Sequence, residues 1–205
     1  MMNTGDINVQ NCQTLIEQFN NRVSMSDCSL CSLSSSRSRI TKARYRISDP
    51  SRIVMMVAEA PGQNEDEQGF VLVGKAGTKF QAELNKFGLR NYYLTNICRC
   101  WPGKGNRKPT LEEMGCCGNK WLSEEISLID PVIIVAMGGT ASEYLIGKKI
   151  SVTKESNMGI WHGVGGRSVY VSQHPSFLFN YPFGEKFYVH FIKMLETVVE
   201  FQKRR

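Results

Sequence analysis

Short apolar runs separated by amphipathic segments occupy most of the chain beyond residue 52. Four of these runs have the length and composition of buried strands. They lie at 53–58, 92–95, 132–137 and 168–173. The segments between them show helical spacing, and one begins with a capping box of Thr110 and Glu113 and ends at Pro131. The apolar face of a last predicted helix contains Phe187, Phe191, Met194, Leu195 and Val198.

This alternation of strands and helices predicts an α/β fold with a parallel sheet that helices cover on both faces. A chain of 205 residues suits one domain. We therefore expect a single domain over 1–205, with an N-terminal helical segment at 1–27 and a core at 28–200.

Polar side chains follow three of the four strands at their carboxyl ends, where ligands bind in parallel sheets. They are Glu59, Asn96 and His174. Alone, Asn96 fits a turn cap and His174 an ordinary loop histidine, whereas a carboxylate between Ala58 and Ala60 is costly unless it is used. Together they suit a flat polar ring: the amide matches an imide edge, the imidazole donates to a carbonyl oxygen, and the carboxylate positions water or stabilises a developing cation.

Charge and composition restrict the partners further. The net charge is +6 and the pI is near 9.0, which favours a polyanionic partner, although many basic proteins bind no nucleic acid. The Ser- and Arg-rich stretch at 32–46 is either a solvated loop or a basic arm near a phosphate backbone. No signal peptide or membrane-length apolar run is visible. We expect a soluble intracellular protein that is not secreted and has no membrane partner.

Seven cysteines in such a protein favour metal ligation over disulfides. Cys28 and Cys31 form a C-x2-C pair, and sixteen residues separate Cys100 from Cys117. This pattern fits a four-cysteine zinc site or an iron–sulfur cluster, and spacing does not choose between them. Cys12, Cys98 and Cys116 remain as spare thiols.

Four ordered segments of the chain carry a family resemblance. They are "AEAPGQNEDEQGFVLVGKAG", "YLTNICRCWPGKGNRKPTLEEMGCC", "PVIIVAMGG" and "VSQHPSFLF". Together with the cysteine spacing they resemble the iron–sulfur uracil-DNA glycosylases of families four and five, and family four in particular. The resemblance extends over roughly residues 28 to 195.

The resemblance implies a three-layer αβα sandwich with a central four-stranded parallel sheet and a structural [4Fe-4S] cluster. Its cluster ligands correspond to Cys28, Cys31, Cys100 and Cys117. Its catalytic residues correspond to Glu59, Asn96 and His174, and Ala60 and Leu72 complete the substrate-binding set. The acidic segment after the first strand is then expected to form the wall and water site of a pocket for a neutral base.

The implied activity is hydrolysis of the N-glycosidic bond of uracil in DNA, which leaves an abasic site without cutting the backbone. The target nucleotide must first be flipped out of the stack. Phe177, Leu178 and Phe179 are candidates for a wedge that fills the gap, with ordinary core packing as the alternative. Basic residues expected to contact phosphates are Arg39, Lys42, Arg44, Arg99, Lys104, Arg107 and Lys108.

One departure from the family separates two functional hypotheses. The family has Phe where this chain has Leu72, and Leu lacks an aromatic face for stacking on uracil. The first hypothesis is a monomeric enzyme acting on single- or double-stranded uracil-containing DNA. The alternative is a catalytically weak relative that serves as a DNA-binding or replication-associated module.

Overall fold

Six strands form one mixed sheet in the computed structural model, which describes residues 8–152, 154, 159–180 and 184–204. The strands are β1 (Arg44–Arg46), β2 (Val54–Ala58), β3 (Tyr92–Asn96), β4 (Ile133–Met137), β5 (Gly159–His162) and β6 (Ser168–Ser172). Their order across the sheet is β1-β3-β2-β4-β6-β5. The four inner strands are parallel, which confirms the predicted central parallel sheet.

The two edge strands were not predicted, and both run antiparallel to their neighbours. β1 lies inside the Ser- and Arg-rich stretch, where only three residues pair and charged side chains mask any apolar alternation. β5 alternates between half-buried and exposed positions, as an edge strand with one solvated face does. The sheet therefore has six strands rather than four.

Eight helices surround this sheet in the described part of the chain. They are α1 (Val9–Ser24), α2 (Gln63–Gln68), α3 (Lys75–Lys86), α4 (Leu111–Cys117), α5 (Ser123–Ile129), α6 (Gly139–Ile146), α7 (Pro175–Asn180) and α8 (Gly184–Lys203). Short 3₁₀ turns lie at 32–35, 50–52 and 164–166. Among the described residues no helix is long and apolar enough to cross a membrane.

Two separate apolar cores lie on opposite faces of the sheet. Along β2, Met55 and Val57 point into a core shared with α1, α4, α5 and α6. The alternate residues Val54 and Met56 point into a second core shared with α3 and α8. This period-two alternation between two buried faces explains why the strand is continuously apolar, and it confirms the three-layer arrangement.

A π-helical turn over Gly118–Leu122 joins α4 to α5, so the predicted helix is continuous but widened in the middle. Thr110 and Glu113 form the predicted capping box at its start. A Cβ atom at Gly118 would overlap the Tyr144 hydroxyl oxygen, so only glycine allows α6 to approach this closely. Such π turns occur often at functional sites, and this one directly follows Cys117.

Candidate active site

A cavity of about 490 Å³ opens at the carboxyl ends of β2 and β3, within the size range of small-molecule sites. All five residues of the predicted substrate-binding set line it: Glu59, Ala60, Leu72, Asn96 and His174. The parallel register sets Ala58 beside Asn96, which brings the two strand ends together. His174 reaches the same cavity from the segment after β6.

Glu59 follows β2 and is partly buried beside the cavity. Its backbone carbonyl accepts a hydrogen bond from the Cys98 amide at 3.0 Å, which ties it to the segment after β3. Its carboxylate forms no hydrogen bond or ion pair with the described residues. The charged group is therefore available to water or to a ligand in the cavity.

The other carboxylates of the acidic segment lie on α2, and two of them, Glu65 and Asp66, accept hydrogen bonds from backbone amides. Glu65 accepts hydrogen bonds from the Gly62 amide at 3.1 Å and the Gly74 amide at 2.6 Å, and so holds both sides of the cavity entrance. Buried Asp66 accepts from the amides of Ser38 and Arg39. Glu59 and Glu65 of the acidic segment line the cavity, as expected of its wall, whereas Asp66 does not.

Leu72 lies on the cavity wall with a backbone φ of 54°, the left-handed region that bulky residues rarely adopt. Gln81 Nε2 donates to its carbonyl oxygen at 2.8 Å. A Cβ atom at Gly77 would overlap the same carbonyl oxygen, so glycine is required there. Strained backbone of this kind collects at binding and catalytic sites, where the surroundings enforce it.

Asn96 is 2% exposed at the end of β3 and lines the cavity. Its side-chain amide has no hydrogen-bond partner within the described residues. Because Asn96 lines the cavity, a ligand there can satisfy both the donor and the acceptor of the amide. The side chain is therefore arranged to receive a planar ligand that presents one acceptor and one donor.

The Nδ1 atom of His174 accepts a hydrogen bond from the Ser176 amide at 3.2 Å and lies 2.7 Å from the Ser176 hydroxyl oxygen. An accepting Nδ1 carries no proton, so the neutral imidazole has its proton on Nε2. Burial lowers the pKa of His174, and the charge of Glu65 opposes this shift more weakly. The ring is thus a neutral donor near pH 7. Its partner Ser176 was not predicted, although its position two residues after His174 is the local signal.

The three residues predicted as a wedge lie on α7, directly after His174. Phe177 is partly buried, and its amide donates to the His174 carbonyl at 2.9 Å. The side chains of Leu178 and Phe179 lie outside the described part of the chain. The wedge therefore stays a prediction.

The thiols predicted as cluster ligands gather under the carboxyl end of β3. Burial is the main cause that raises the pKa of Cys100 to about 12; Arg37 opposes it, and the neighbouring Cys117, Cys31 and Cys28 add to it. The proximity is not a formed metal site, because no three His, Cys, Asp or Glu side chains among the described residues are positioned to hold a metal ion. Four cysteines drawn from three separate segments nevertheless fit the ligand chemistry of an iron–sulfur centre.

Cys117, rather than Cys116, is at the centre of this group. It is 8% exposed, and its sulfur accepts a hydrogen bond from the Arg99 amide at 3.2 Å. A hydrogen bond with Cys98 lowers the pKa of Cys117, and burial opposes that shift. Cys98 is fully buried against the same group, which the sequence did not predict.

Arg99 is fully buried, so its predicted contact with phosphate is wrong. Its guanidinium forms an ion pair with buried Glu125 on α5. Tyr93 and Thr95 donate hydroxyl hydrogen bonds to the same carboxylate, at 2.6 and 3.1 Å. Burial alone would lower the pKa of Arg99, but Glu125 raises it, so the guanidinium stays charged.

Two basic residues, Lys75 and Arg107, line the cavity. Lys75 is exposed at the start of α3. Arg107 donates to Glu113 at 2.6 and 2.9 Å and lowers the pKa of that carboxyl to about 2. Lys75 thus places a positive charge at the cavity that forms no ion pair with the described residues, and such a charge can attract a polyanion.

Comparison with known proteins agrees with this geometry. The sequence model of the Uracil DNA glycosylase superfamily matches residues 46–198. A type-4 uracil-DNA glycosylase of Thermotoga maritima is 36% identical over 170 residues, 81% of this chain and 84% of the relative. A type-4 uracil-DNA glycosylase of Archaeoglobus fulgidus is 36% identical over 109 residues, 51% of this chain and 54% of the relative. A type-5 uracil-DNA glycosylase of Pyrobaculum aerophilum is 33% identical over 88 residues, 43% of this chain and 38% of the relative. The chain therefore belongs to the uracil DNA glycosylase superfamily, within its type-4 family.

Proposed function

We propose that this protein removes uracil from DNA by hydrolysing the N-glycosidic bond, leaving an abasic site with an intact backbone. The observation that carries the proposal is the convergence of Glu59, Asn96 and His174 on one cavity of about 490 Å³. Membership of the type-4 family supports the same substrate. The basic residues at the opening supply attraction for the phosphate backbone.

Asn96 binds the base in this proposal. Uracil presents a carbonyl oxygen and an N–H on one planar edge, and the unpartnered amide offers the complementary donor and acceptor. The amide is held rigid because Asn96 is 2% exposed at the end of a buried strand. A methyl group or an exocyclic amine on the base changes this edge or its fit, so the pocket selects uracil.

His174 and Glu59 act on the two groups that the breaking bond joins: His174 on the uracil and Glu59 on the sugar. As the bond lengthens, negative charge collects on the uracil carbonyl oxygen, and the Nε2–H of neutral His174 donates a hydrogen bond to it. The sugar develops oxocarbenium character, which the free carboxylate of Glu59 stabilises while it positions the attacking water. Ser176 holds the imidazole in the required tautomer.

Cys28, Cys31, Cys100 and Cys117 would hold a [4Fe-4S] cluster, which would crosslink the N-terminal segment, the segment after β3 and α4. The hydrolysis requires no redox step, so the role of these thiols is structural. Because Cys100 lies four residues beyond Asn96, the same crosslink supports the strand end that carries the base-binding amide.

The proposal also covers the domain organisation of the chain, its oligomeric state and the way it binds DNA. Residues 1–205 form one domain that acts as an intracellular monomer on DNA. Phe177, Leu178 and Phe179 supply the wedge that occupies the gap left by the flipped nucleotide. Either strand state serves as substrate, provided that the uracil can leave the stack.

Product analysis tests the activity. The purified protein is incubated with a uracil-containing oligonucleotide, and a matched oligonucleotide with thymine at the same position is the control. We expect free uracil in solution and strand cleavage only after alkaline treatment. Cleavage without alkali would contradict the monofunctional mechanism, and the absence of free uracil would contradict glycosylase activity.

Leu72 favours a second candidate, a DNA-binding module with weak or no excision. A leucine on the pocket wall gives up the aromatic stacking that a phenylalanine would provide. The two candidates differ in one result: the module binds uracil-containing DNA without releasing the base.

A further inference from the structure

Two cavities that the excision chemistry does not use join into one groove beside the base pocket. One has a volume of about 1010 Å³ and lies between α1, β1 and α3. The other has a volume of about 460 Å³ and lies between the end of α1 and the Ser- and Arg-rich stretch. Lys42, Gln68 and Phe70 line both, so the two cavities adjoin at these residues and together form the groove.

The walls of this groove are basic. Arg37, Arg39, Lys42 and Arg44 line it, and Glu17 is the one carboxylate in the described lining. Glu17 accepts a hydrogen bond from the Tyr45 hydroxyl at 3.1 Å. Arg37, Arg39 and Arg44 form no ion pair with the described residues. Their positive charges are therefore available to a polyanion.

Phe70 projects an aromatic ring at the junction of the two cavities. The side chain is 43% exposed, so one part of the ring is open to a ligand in the groove. Its backbone is held on both sides, because the Lys42 amide donates to the Gly69 carbonyl at 2.9 Å and the Val71 amide donates to the Lys42 carbonyl at 3.0 Å. The ring thus stands on a fixed backbone between basic side chains, an arrangement on which nucleic-acid bases stack.

The groove is close to the base pocket. Phe70 is two residues before Leu72, so their Cα atoms are at most about 7 Å apart. Helix α2 connects the two sites: Glu65 braces the pocket entrance, while Asp66 fixes the amides of Ser38 and Arg39 at the groove. A strand with one nucleotide in the pocket can therefore continue into the groove.

We propose that this groove binds the unpaired DNA strand that flanks the target uracil, with a neighbouring base stacked on Phe70 and its phosphates between Arg39 and Arg44. The proposal rests on the proposed function, since it extends the substrate beyond the flipped nucleotide. It assigns the Ser- and Arg-rich stretch to DNA binding rather than to a solvated loop. Stacking needs an exposed base face, so the groove distinguishes single strands from duplexes.

Binding of a thymine-only 15-mer by the full chain tests the stacking. Phe70→Leu keeps the apolar side chain but removes the ring, and we expect about tenfold weaker binding. Phe70→Trp should bind at least as tightly as the wild type. Phe87→Leu is the matched control, because Phe87 is 40% exposed at the end of α3 and lies outside the groove lining. Circular dichroism and the thermal midpoint verify that each variant is folded.

Wild-type affinity in Phe70→Leu would overturn the proposal, as would an equal loss in Phe87→Leu. If Phe70→Leu weakened binding of a fully paired duplex by the same factor, the proposed stacking of an unpaired base would be overturned. The probe contains no uracil, so these outcomes are independent of excision. A failure of the proposed function would appear instead as normal binding without release of uracil.

Salt dependence tests the charges separately. Arg39→Gln and Arg44→Gln together should reduce the slope of log affinity against log salt by about 0.7 for each phosphate that an arginine no longer neutralises. Arg90→Gln is the control, because Arg90 is exposed and does not line the groove. An unchanged slope in the double variant would show that the groove does not bind phosphates.

Discussion

At the scale of single residues, the backbone decides what the side chains of the pocket can do. The Ser176 amide fixes the tautomer of His174, and Gln81 helps to hold Leu72 in a left-handed conformation. Neither effect follows from residue type alone. The side chains that the sequence identified are therefore only part of the site, and their hydrogen-bond partners complete it.

The lowered pKa of His174 predicts a pH dependence of stability. The unfolded chain keeps the ordinary histidine pKa near 6.5, so the unfolded state binds the proton first as the pH falls. The free energy of unfolding should therefore decrease below about pH 6.5, towards the lower folded pKa. Denaturant titrations at several pH values should show this decrease in the free energy of unfolding in the wild type and not in His174→Ala. His162→Ala, at an exposed histidine, should leave it in place.

Replacing Leu72 by phenylalanine tests the base-facing wall of the pocket. The ring restores stacking on the flipped base, so the single-turnover excision rate should rise about tenfold. Both residues are bulky and face the same left-handed backbone requirement, so the thermal midpoint should change little. A lower rate in a folded variant would show that the pocket is shaped around leucine.

At the scale of elements, the sequence predicted what depends on periodicity and missed what depends on tertiary contact. The four central strands and the capped helix at Thr110 follow from local patterns, and the structure confirms them. The edge strand β1, the π turn at Gly118–Leu122 and the burial of Arg99 depend on partners distant in the chain, whereas β5 pairs with β6 across a short turn. No local pattern encodes such contacts, which explains the wrong assignment of Arg99 to DNA.

The buried ion pair between α5 and the segment after β3 gives a stability prediction. Glu125→Gln leaves the charge of Arg99 uncompensated inside the protein, and should lower the free energy of unfolding by about 3 kcal/mol. Glu124→Gln is the matched control on the same helix, because its pair with Arg22 is exposed, and it should cost less than about 1 kcal/mol. Equal losses in denaturant titrations would contradict the role of the network.

The adjacent cysteines of α4 give a test of the cluster ligands. Cys117→Ala should abolish the visible absorbance of the purified protein, because Cys117 faces the other thiols. Cys116→Ala should retain it, since Cys116 is only half-buried, whereas Cys117 is buried against Cys98 and Cys100. The reverse result would assign the ligand to Cys116 instead of Cys117. A colourless wild-type protein that contains zinc would contradict the iron–sulfur assignment.

At the scale of the whole molecule, the sheet gathers residues that are more than a hundred positions apart. Glu59 and His174 meet because parallel strands end at the same edge. The cysteine-containing segment follows β3 at the same edge, so the proposed base-binding site and the proposed cluster ligands lie at one end of the sheet.

In the proposed function, this edge of the sheet is the site of uracil excision. Single-turnover excision from a uracil-containing oligonucleotide tests it most directly, with wild-type protein, Glu59→Gln and His174→Ala compared at saturating enzyme. We expect abasic product from the wild type and rates lower by about 10²–10³-fold in His174→Ala, with both variants folded. Product at the wild-type rate from both variants would contradict the assigned site, and no product from folded wild-type protein would contradict the activity.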